Sequence, residues 1–391
     1  MQKARIVGVV FLLICGLVIA AVAQGMLGGR APLALFPTPQ PKATNTPNAA
    51  DAVVVQLVYS SDKKQWLTEA LSAWQATNPQ VNGRAVRIDL VDAGSQQIIN
   101  DVIAGKTKPT MVSPASTMQI TQLNAATVDG KQNIAADAQS LVLTPLVIVA
   151  WKDANPNAPV EQLKTGDPQL WQNIQKAVSS GKRDFLFGQT APSISNSGLQ
   201  TFMLMAAAFH GKSSLTAADI QDPKFVEWLT TYAKNIEKFG DSTGTFMEDM
   251  VRFGPSRYAA VAVYESNALE RIQAANNRWG DIRMIYPAVN IWSDHPLAIL
   301  DASWVNADQR AAAAQFRDFL LAQPQQEAAV RAGFRPANPD AGLDIADSPF
   351  TKYKDQYGVQ IAPASVINDP DAATIQAILD LWKQLEPQVR R

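Results

Sequence analysis

The sequence predicts an α/β protein of two lobes joined by two crossover strands. Three observations predict it. From residue 53 to about 125, apolar β-branched runs alternate with segments of helical period, the order of a largely parallel sheet. A second alternation follows between about 167 and 264. Two long apolar runs, 140–152 and 281–302, each carry a proline inside them, Pro145 and Pro287. Proline within a strand marks an edge, bulge or bend, so each run reads as chain leaving one sheet and entering another. The first lobe is then discontinuous, 52–143 and 289–391, and the second is 144–288. A cleft between such lobes, at the carboxyl ends of strands, is where ligands favour binding.

The chain starts with Lys3 and Arg5, followed by the uncharged run 6–23 that ends Ala21-Val22-Ala23. That is the pattern of a secretory signal cleaved at a small-residue site. It is also just long enough to stay as a membrane anchor, so residues 1–23 are read as signal peptide or anchor. Either way the rest of the chain is expected outside the cytoplasm. Cys15 lies deep in the apolar run after bulky Ile14, which argues against a lipidated cysteine. Residues 24–51, with Pro37, Pro39, Pro41 and Pro47, cannot build a core and read as an extended linker, either a plain lead-in or a tether.

The folded region begins with a buried strand at 53–59. Trp66, Leu67, Ala70, Leu71 and Trp74 then recur at helical spacing, and residues 84–94 form a second strand. "SQQIINDVIAGK" is a short amphipathic helix ending at Gly105, "PTMVSPAS" passes from strand to loop, and 116–125 is helical. After the first crossover come helices at about 167–179, 198–210, 222–238 and 246–252, with strands near 184–187 and 259–264. After the second come two alanine-rich helices, a loop, and a last helix at 371–385 with Ile375, Ile378, Leu379 and Trp382 on one face.

Composition excludes several functions. The net charge of −1 offers no nucleic-acid surface. With one cysteine, outside the folded region, and two separated histidines, there is no disulfide, zinc motif or usual nucleophile–base pair. "HGKSS" lacks the first glycine of a phosphate-binding loop, Ala206 standing in its place. No catalytic residue, metal or cofactor is assigned.

What remains is a set of hydroxyls at predicted strand ends. Ser195, Asn196, Ser197 and Gly198 crowd the mouth of an apolar helix. A helix N-terminus leaves backbone N–H groups unpaired and carries partial positive charge, so this cluster reads as a cradle for a polar or anionic group. The alternative is that Ser195 or Ser197 merely caps the helix. Ser60 and Ser61 repeat the device after the first strand, with Asp62 as a rival cap, and Ser113 and Ser116 repeat it on either side of Pro114. Tyr264, Glu265 and Asn267 follow an apolar strand and would point from its end into the cleft, or else the tyrosine packs under the sheet edge beside a solvated glutamate. A glutamate facing the ligand would disfavour an oxyanion and suit a hydroxylated or cationic solute. Trp292 and Trp304 are read as core, Arg335 as pairing with carbonyls or a carboxylate, and His210 as structural.

These residues carry a resemblance. "YSSDKKQWL", "PTMVSPAS", "LTPLVIVAWK", "FGQTAPSISNSGLQTFMLMAAAF", "VAVYESNAL" and "GFRPANP" stand in the order seen in bacterial extracellular solute-binding proteins of the type II periplasmic-binding fold. The chain resembles the group related to molybdate- and sulfate-type binding proteins of ABC importers, over about 53–340. The resemblance implies capture of a small polar or anionic solute in the interlobe cleft by a monomer that works with an ABC permease. It also implies contact of Ser60 and Ser61 with the solute. A surface sensory or adhesion module, or an enzyme on the same scaffold, are the alternatives. Beyond about 341 no motif matches.

Overall fold

A computed structural model of the chain describes residues 51–389 apart from 153–158, 181–184, 237 and 362–364. The N-terminal apolar run and nearly all of the linker lie outside the described residues, as does residue 184 at the start of an expected strand.

In chain order the strands are β1 (Val53–Ser60), β2 (Gln80–Val81), β3 (Arg84–Ala93), β4 (Met111–Ser113), β5 (Gln139–Ser140), β6 (Val142–Trp151), β7 (Phe187–Thr190), β8 (Lys238–Gly240), β9 (Ala260–Tyr264), β10 (Ile282–Ile285), β11 (Trp292–Ser293), β12 (Pro296–Ile299) and β13 (Arg335–Pro336). The first sheet runs β2-β3-β1-β4-β12-β5, and the second β10-β6-β9-β7-β8 with β11 and β13 also on β6. β3 and β4 lie parallel to β1, and β8 and β9 parallel to β7. The fold is therefore α/β with two sheets.

Period-two alternation explains the long runs. In β6, Leu146, Ile148 and Ala150 face one core of the second sheet, while Val147, Val149 and Trp151 face the other. Both faces are covered, so the strand reads as one apolar run rather than a polar–apolar alternation. In β1, Val53, Val55 and Leu57 pack with Trp66, Trp74 and Phe316, and Val58 packs on the opposite face with Ile99 and Val112.

The first crossover lies where β5, paired with β12, passes into β6. Pro145 stays inside β6, opposite Trp292 of β11. The return comes later than Pro287: β11 still pairs with β6, and only from Pro296 does the chain join the first sheet. The turn between them is made by His295, whose φ of +41° is left-handed. Asn290 braces the crossing. Its Nδ2 donates to the carbonyl of Leu146 (2.8 Å) and its Oδ1 accepts from Leu146 N–H (3.1 Å), so a side chain replaces a strand partner.

The helix Asn196–His210 is buried on nearly all sides, as its all-round apolar composition requires. The helix Glu265–Asn276 was not expected, because its buried Ala268, Leu269, Ile272 and Ala275 are interleaved with polar residues. The C-terminal segment was assigned to the first lobe with the rest of 289–391, but it packs on the second sheet. Phe350, Tyr357 and Val359 join Val147 and Val261 on one face. Ile375, Ile378, Trp382 and Leu385 join Phe202 and Leu229 on the other. The reason is that the last helix must bury its apolar stripe, and the helix Asn196–His210 presents an apolar side for it. No helix among the described residues is long and apolar enough to cross a membrane.

Candidate functional site

Parallel strands aim their carboxyl ends in one direction. β1 and β4 end at Ser60 and Ser113, and β7 and β9 at Thr190 and Tyr264. The two sets of ends meet in a buried polar seam. Gln119 Nε2 donates across it to Asn196 Oδ1 (3.1 Å), and Asn196 Nδ2 donates to the Tyr264 hydroxyl (3.0 Å) and to Ser293 Oγ (3.2 Å). The backbone N–H of Gln96 donates to the Ile194 carbonyl (3.0 Å). Of the residues singled out in the sequence, Ser60, Ser113, Ser116, Ser195, Asn196, Ser197, Gly198 and Tyr264 all lie in or beside this seam, and all are buried.

The serines at the helix mouth do not cap it. Ser195 is the residue before the first turn, yet its side chain makes no capping bond. Its hydroxyl lies 3.0 Å from Thr243 Oγ1, and Ser197 Oγ lies 2.8 Å from the same atom and 2.6 Å from Thr190 Oγ1. Gly198 serves packing: a Cβ there would stand 2.2 Å from the Thr190 carbonyl oxygen. The close approach this glycine permits is that of the chain's own backbone, not of a ligand. Ser116 does cap, accepting from Met118 N–H (3.2 Å).

At the centre sit Lys63 and His295, which the sequence did not single out as site residues, and Asp62, which it offered only as a cap. Lys63 is fully buried, and its ammonium reaches Ser60 Oγ (2.5 Å), the carbonyls of Ser113 (3.0 Å) and Pro114 (3.3 Å), and His295 Nδ1 (3.0 Å). Since an ammonium only donates, Nδ1 accepts and the imidazole is neutral with its proton on Nε2. That Nε2 lies 3.3 Å from Asp62 Oδ2, out of hydrogen-bond alignment. Burial lowers the Lys63 amine to about 8, opposed by Asp62 and Asp294. Burial also lowers His295 well below its usual value, with Lys63 adding to it, and raises Asp62 against the pull of Lys63. The signals were faint: a lysine is almost never fully buried, and Asp62 read as a cap.

Glu265 is not brought into the seam. Its carboxylate takes a two-point bond from Arg335, Nε to Oε2 and Nη2 to Oε1, both 2.8 Å, and the Tyr286 hydroxyl also donates to Oε1. Arg335 completes its donors on the carbonyls of Ile361 and Gln360, as the reading of it as a structural residue expected.

Ser61 faces open space. It lines a cavity of about 460 Å³ between the two sheets, with Asp62, Ser242, Gly244, Asn267 and Glu270 among its walls. Ser61 Oγ and Ser242 Oγ, from opposite sides, are 2.8 Å apart. Among the buried polar atoms bordering seam and cavity, Asp62 Oδ2, Ser113 Oγ, Gln119 Oε1, Ser266 Oγ, Asn267 Oδ1 and the N–H at His295 Nε2 have no hydrogen-bond partner, a cost that a native site is expected to answer with a ligand or solvent.

Comparison with known proteins agrees with this geometry. The sequence profile of the family described as bacterial extracellular solute-binding protein matches residues 55–335. No curated protein sequence matches the chain. Among solved structures, the sulfate-binding protein SubI from Mycobacterium tuberculosis H37Rv is similar, with 17% identity, 87% of this chain and 99% of that chain covered, and a TM-score of 0.54. A periplasmic thiamin binding protein is similar at 13% identity, 86% and 96% coverage and a TM-score of 0.60. The spermidine/putrescine ABC transporter substrate-binding protein PotD from Streptococcus pneumoniae is similar at 15% identity, 86% and 99% coverage and a TM-score of 0.52. At these identities the likeness establishes the fold, which is the type II periplasmic-binding fold.

Proposed function

Since the chain belongs to the bacterial extracellular solute-binding protein family, we propose that it captures a small polar solute between its two sheets, outside the cytoplasm, and delivers it to an ABC permease. The observation that carries this reading is the polar seam. Hydroxyls and amides from both sheets meet there, and at one edge the seam opens on the cavity of about 460 Å³. Two halves that part must not expose apolar core. A polar seam trades its bonds for water at little net cost, because each internal hydrogen bond is worth only about 1 kcal/mol over its hydrated alternative. The halves bend where β6 and the segment 293–296 cross between sheets, and close on the solute. The first sheet with its helices forms one lobe; the second sheet, carrying the C-terminal segment, forms the other. Residues 6–23 direct export and are either cleaved after Ala23 or kept as a tether.

Thermal unfolding of the full chain against a panel of oxyanions, carboxylates, sugars, amino acids and amines tests the reading. A solute at about 100 times its Kd adds about 2.7 kcal/mol of stability. Ser61→Trp places an indole in the cavity from a half-buried position and is expected to remove the shift while leaving the solute-free melting temperature in place. If refolded protein, stripped of carried-over solute, shifts with no compound, the receptor reading fails.

A further inference from the structure

We propose, resting on the reading of the cavity as the solute site, that the solute is a protonated amine whose ammonium sits between Asp62 and Asn267. Sulfate-type relatives and the helix mouth had pointed toward an anion, and the cavity wall points the other way.

The wall holds five carboxylates, Asp62, Glu69, Asp92, Glu248 and Glu270, against the cations Lys64 and Arg271. Those cations are already engaged. Lys64 lies 3.4 Å from Asp92, and Arg271 lies 3.1 Å from Glu270 and 3.9 Å from Glu248. Asp62 and Glu69 remain uncovered by either, so the lining is negative in sum. Glu69, Glu248 and Asp92 stand at the solvent side, where screening weakens them. The discriminating groups are deeper.

Asp62, just after β1, and Asn267, just after β9, are both more than nine-tenths buried and both line the cavity. A Cβ built on Gly244, between them, would lie 3.7 Å from Asn267 Nδ2 and 3.9 Å from the Asp62 Cα. Asp62 Oδ2 and Asn267 Oδ1 are both acceptors without a hydrogen bond; His295 Nε2 lies 3.3 Å from Asp62 Oδ2 but out of alignment, and Asn267 Oδ1 has no donor. Lys63 attracts Asp62 but its hydrogen bonds go to Ser60, the carbonyls of Ser113 and Pro114, and His295. What the deep end of the cavity leaves unanswered is a carboxylate and an amide oxygen, both acceptors. An oxyanion would set its oxygens against a carboxylate and an unpaired amide oxygen. A neutral hydroxyl supplies donors but not charge. An ammonium supplies both, and a hydrogen bond to a charged group is the stronger kind. The same field shows at Glu270, whose carboxyl is raised by burial first and by Glu248 and Asp62 besides, against the pull of Arg271.

Titration calorimetry on the full chain with 1,4-diaminobutane, L-lysine, sodium sulfate and glucose tests the assignment, using wild type, Asp62→Asn and Asn267→Asp. At least one amine is expected to bind wild type, to lose about tenfold or more in affinity in Asp62→Asn, and to gain affinity in Asn267→Asp. The second variant adds charge, keeps Asp62 in place and gives up only the Asn267 amide N–H, so it decides the matter even if Asp62→Asn fails to fold. Sulfate binding that Asn267→Asp weakens, or glucose binding that Asp62→Asn leaves alone, overturns the amine assignment and leaves the receptor reading standing. Amines that bind equally well to all three proteins, or to Ser61→Trp, place the ammonium elsewhere and also overturn it. Silence from all four probes overturns it too, and the broader melting panel then decides whether the receptor reading falls with it.

Discussion

Glu265→Gln separates a structural carboxylate from a solute ligand. Glu265 is fully buried, and the Arg335 side chain that grips it at two points is only 7% exposed. Glutamine keeps the size but removes the charge, and turns an NH₂ toward a guanidinium that can only donate. Breaking a buried ion pair from one side costs about 3–5 kcal/mol. Arg335 retains the carbonyls of Ile361 and Gln360 and lies over the rings of Trp292 and Phe350, so the lower end, about 3 kcal/mol, is expected. The pair joins the helix Glu265–Asn276 to β13 and to the segment at 360–361, so the loss is global rather than confined to the cavity. The assay is urea denaturation followed by circular dichroism, with solute affinity measured below the transition. The midpoint is expected to fall while the affinity of the folded protein holds. Adding Arg335→Met to Glu265→Gln is expected to recover part of the loss, because an apolar side chain no longer leaves a buried charge alone. An unchanged midpoint with lost affinity would refute this reasoning and make Glu265 a solute ligand.

Three further outcomes follow from the geometry. Asn290→Leu strips Leu146 of both its hydrogen bonds to Asn290; two buried orphans at about 1–3 kcal/mol each predict a loss of about 2–6 kcal/mol in urea, and a loss below about 0.5 kcal/mol would mean the crossing is not braced there. Gly198→Ala drives a methyl into the Thr190 carbonyl, so the variant is expected to fold poorly or to shift its helix, visible as lost near-ultraviolet dichroism; a native spectrum and melting temperature would show that the helix gives way freely. Lys63 has a folded value of about 8, below its unfolded 10.5, so between these values the unfolded chain binds more protons and stability rises with pH. A gain on the order of 1 kcal/mol from pH 7.5 to 9.5 is expected in wild type and not in Lys63→Gln, and parallel pH profiles in the two proteins would count against a depressed amine.

Much of the fold was legible because it rests on local pattern. The buried strand 53–59, the apolar helix after Gly198 and the amphipathic last helix each declare themselves through the spacing of apolar residues, which burial enforces on any partner. The helix Glu265–Asn276 hid because its buried positions are small and interleaved with glutamine, asparagine and charge. The prolines marked the crossovers only loosely. Pro145 sits inside a continuous strand, and the second change of sheet is made by a left-handed histidine rather than by Pro287.

By itself the sequence determined the α/β class, the alternation of strands and helices, and the placing of serines at the ends of strands, where chain direction alone brings them together. Only the tertiary structure decided which of those serines meet, and with what. Ser195 and Ser197 bond to Thr243 rather than to their own helix, Glu265 is bound to Arg335 seventy residues away, and the last helix lies on the second sheet instead of the first. The sign of charge in the cavity was likewise beyond reach of the sequence. It depends on Asp62, Glu69, Asp92, Glu248 and Glu270 coming together around one cavity, and on which of them Lys64 and Arg271 lie beside. Period and propensity act between neighbours in the chain, whereas electrostatics and hydrogen bonding act between neighbours in space.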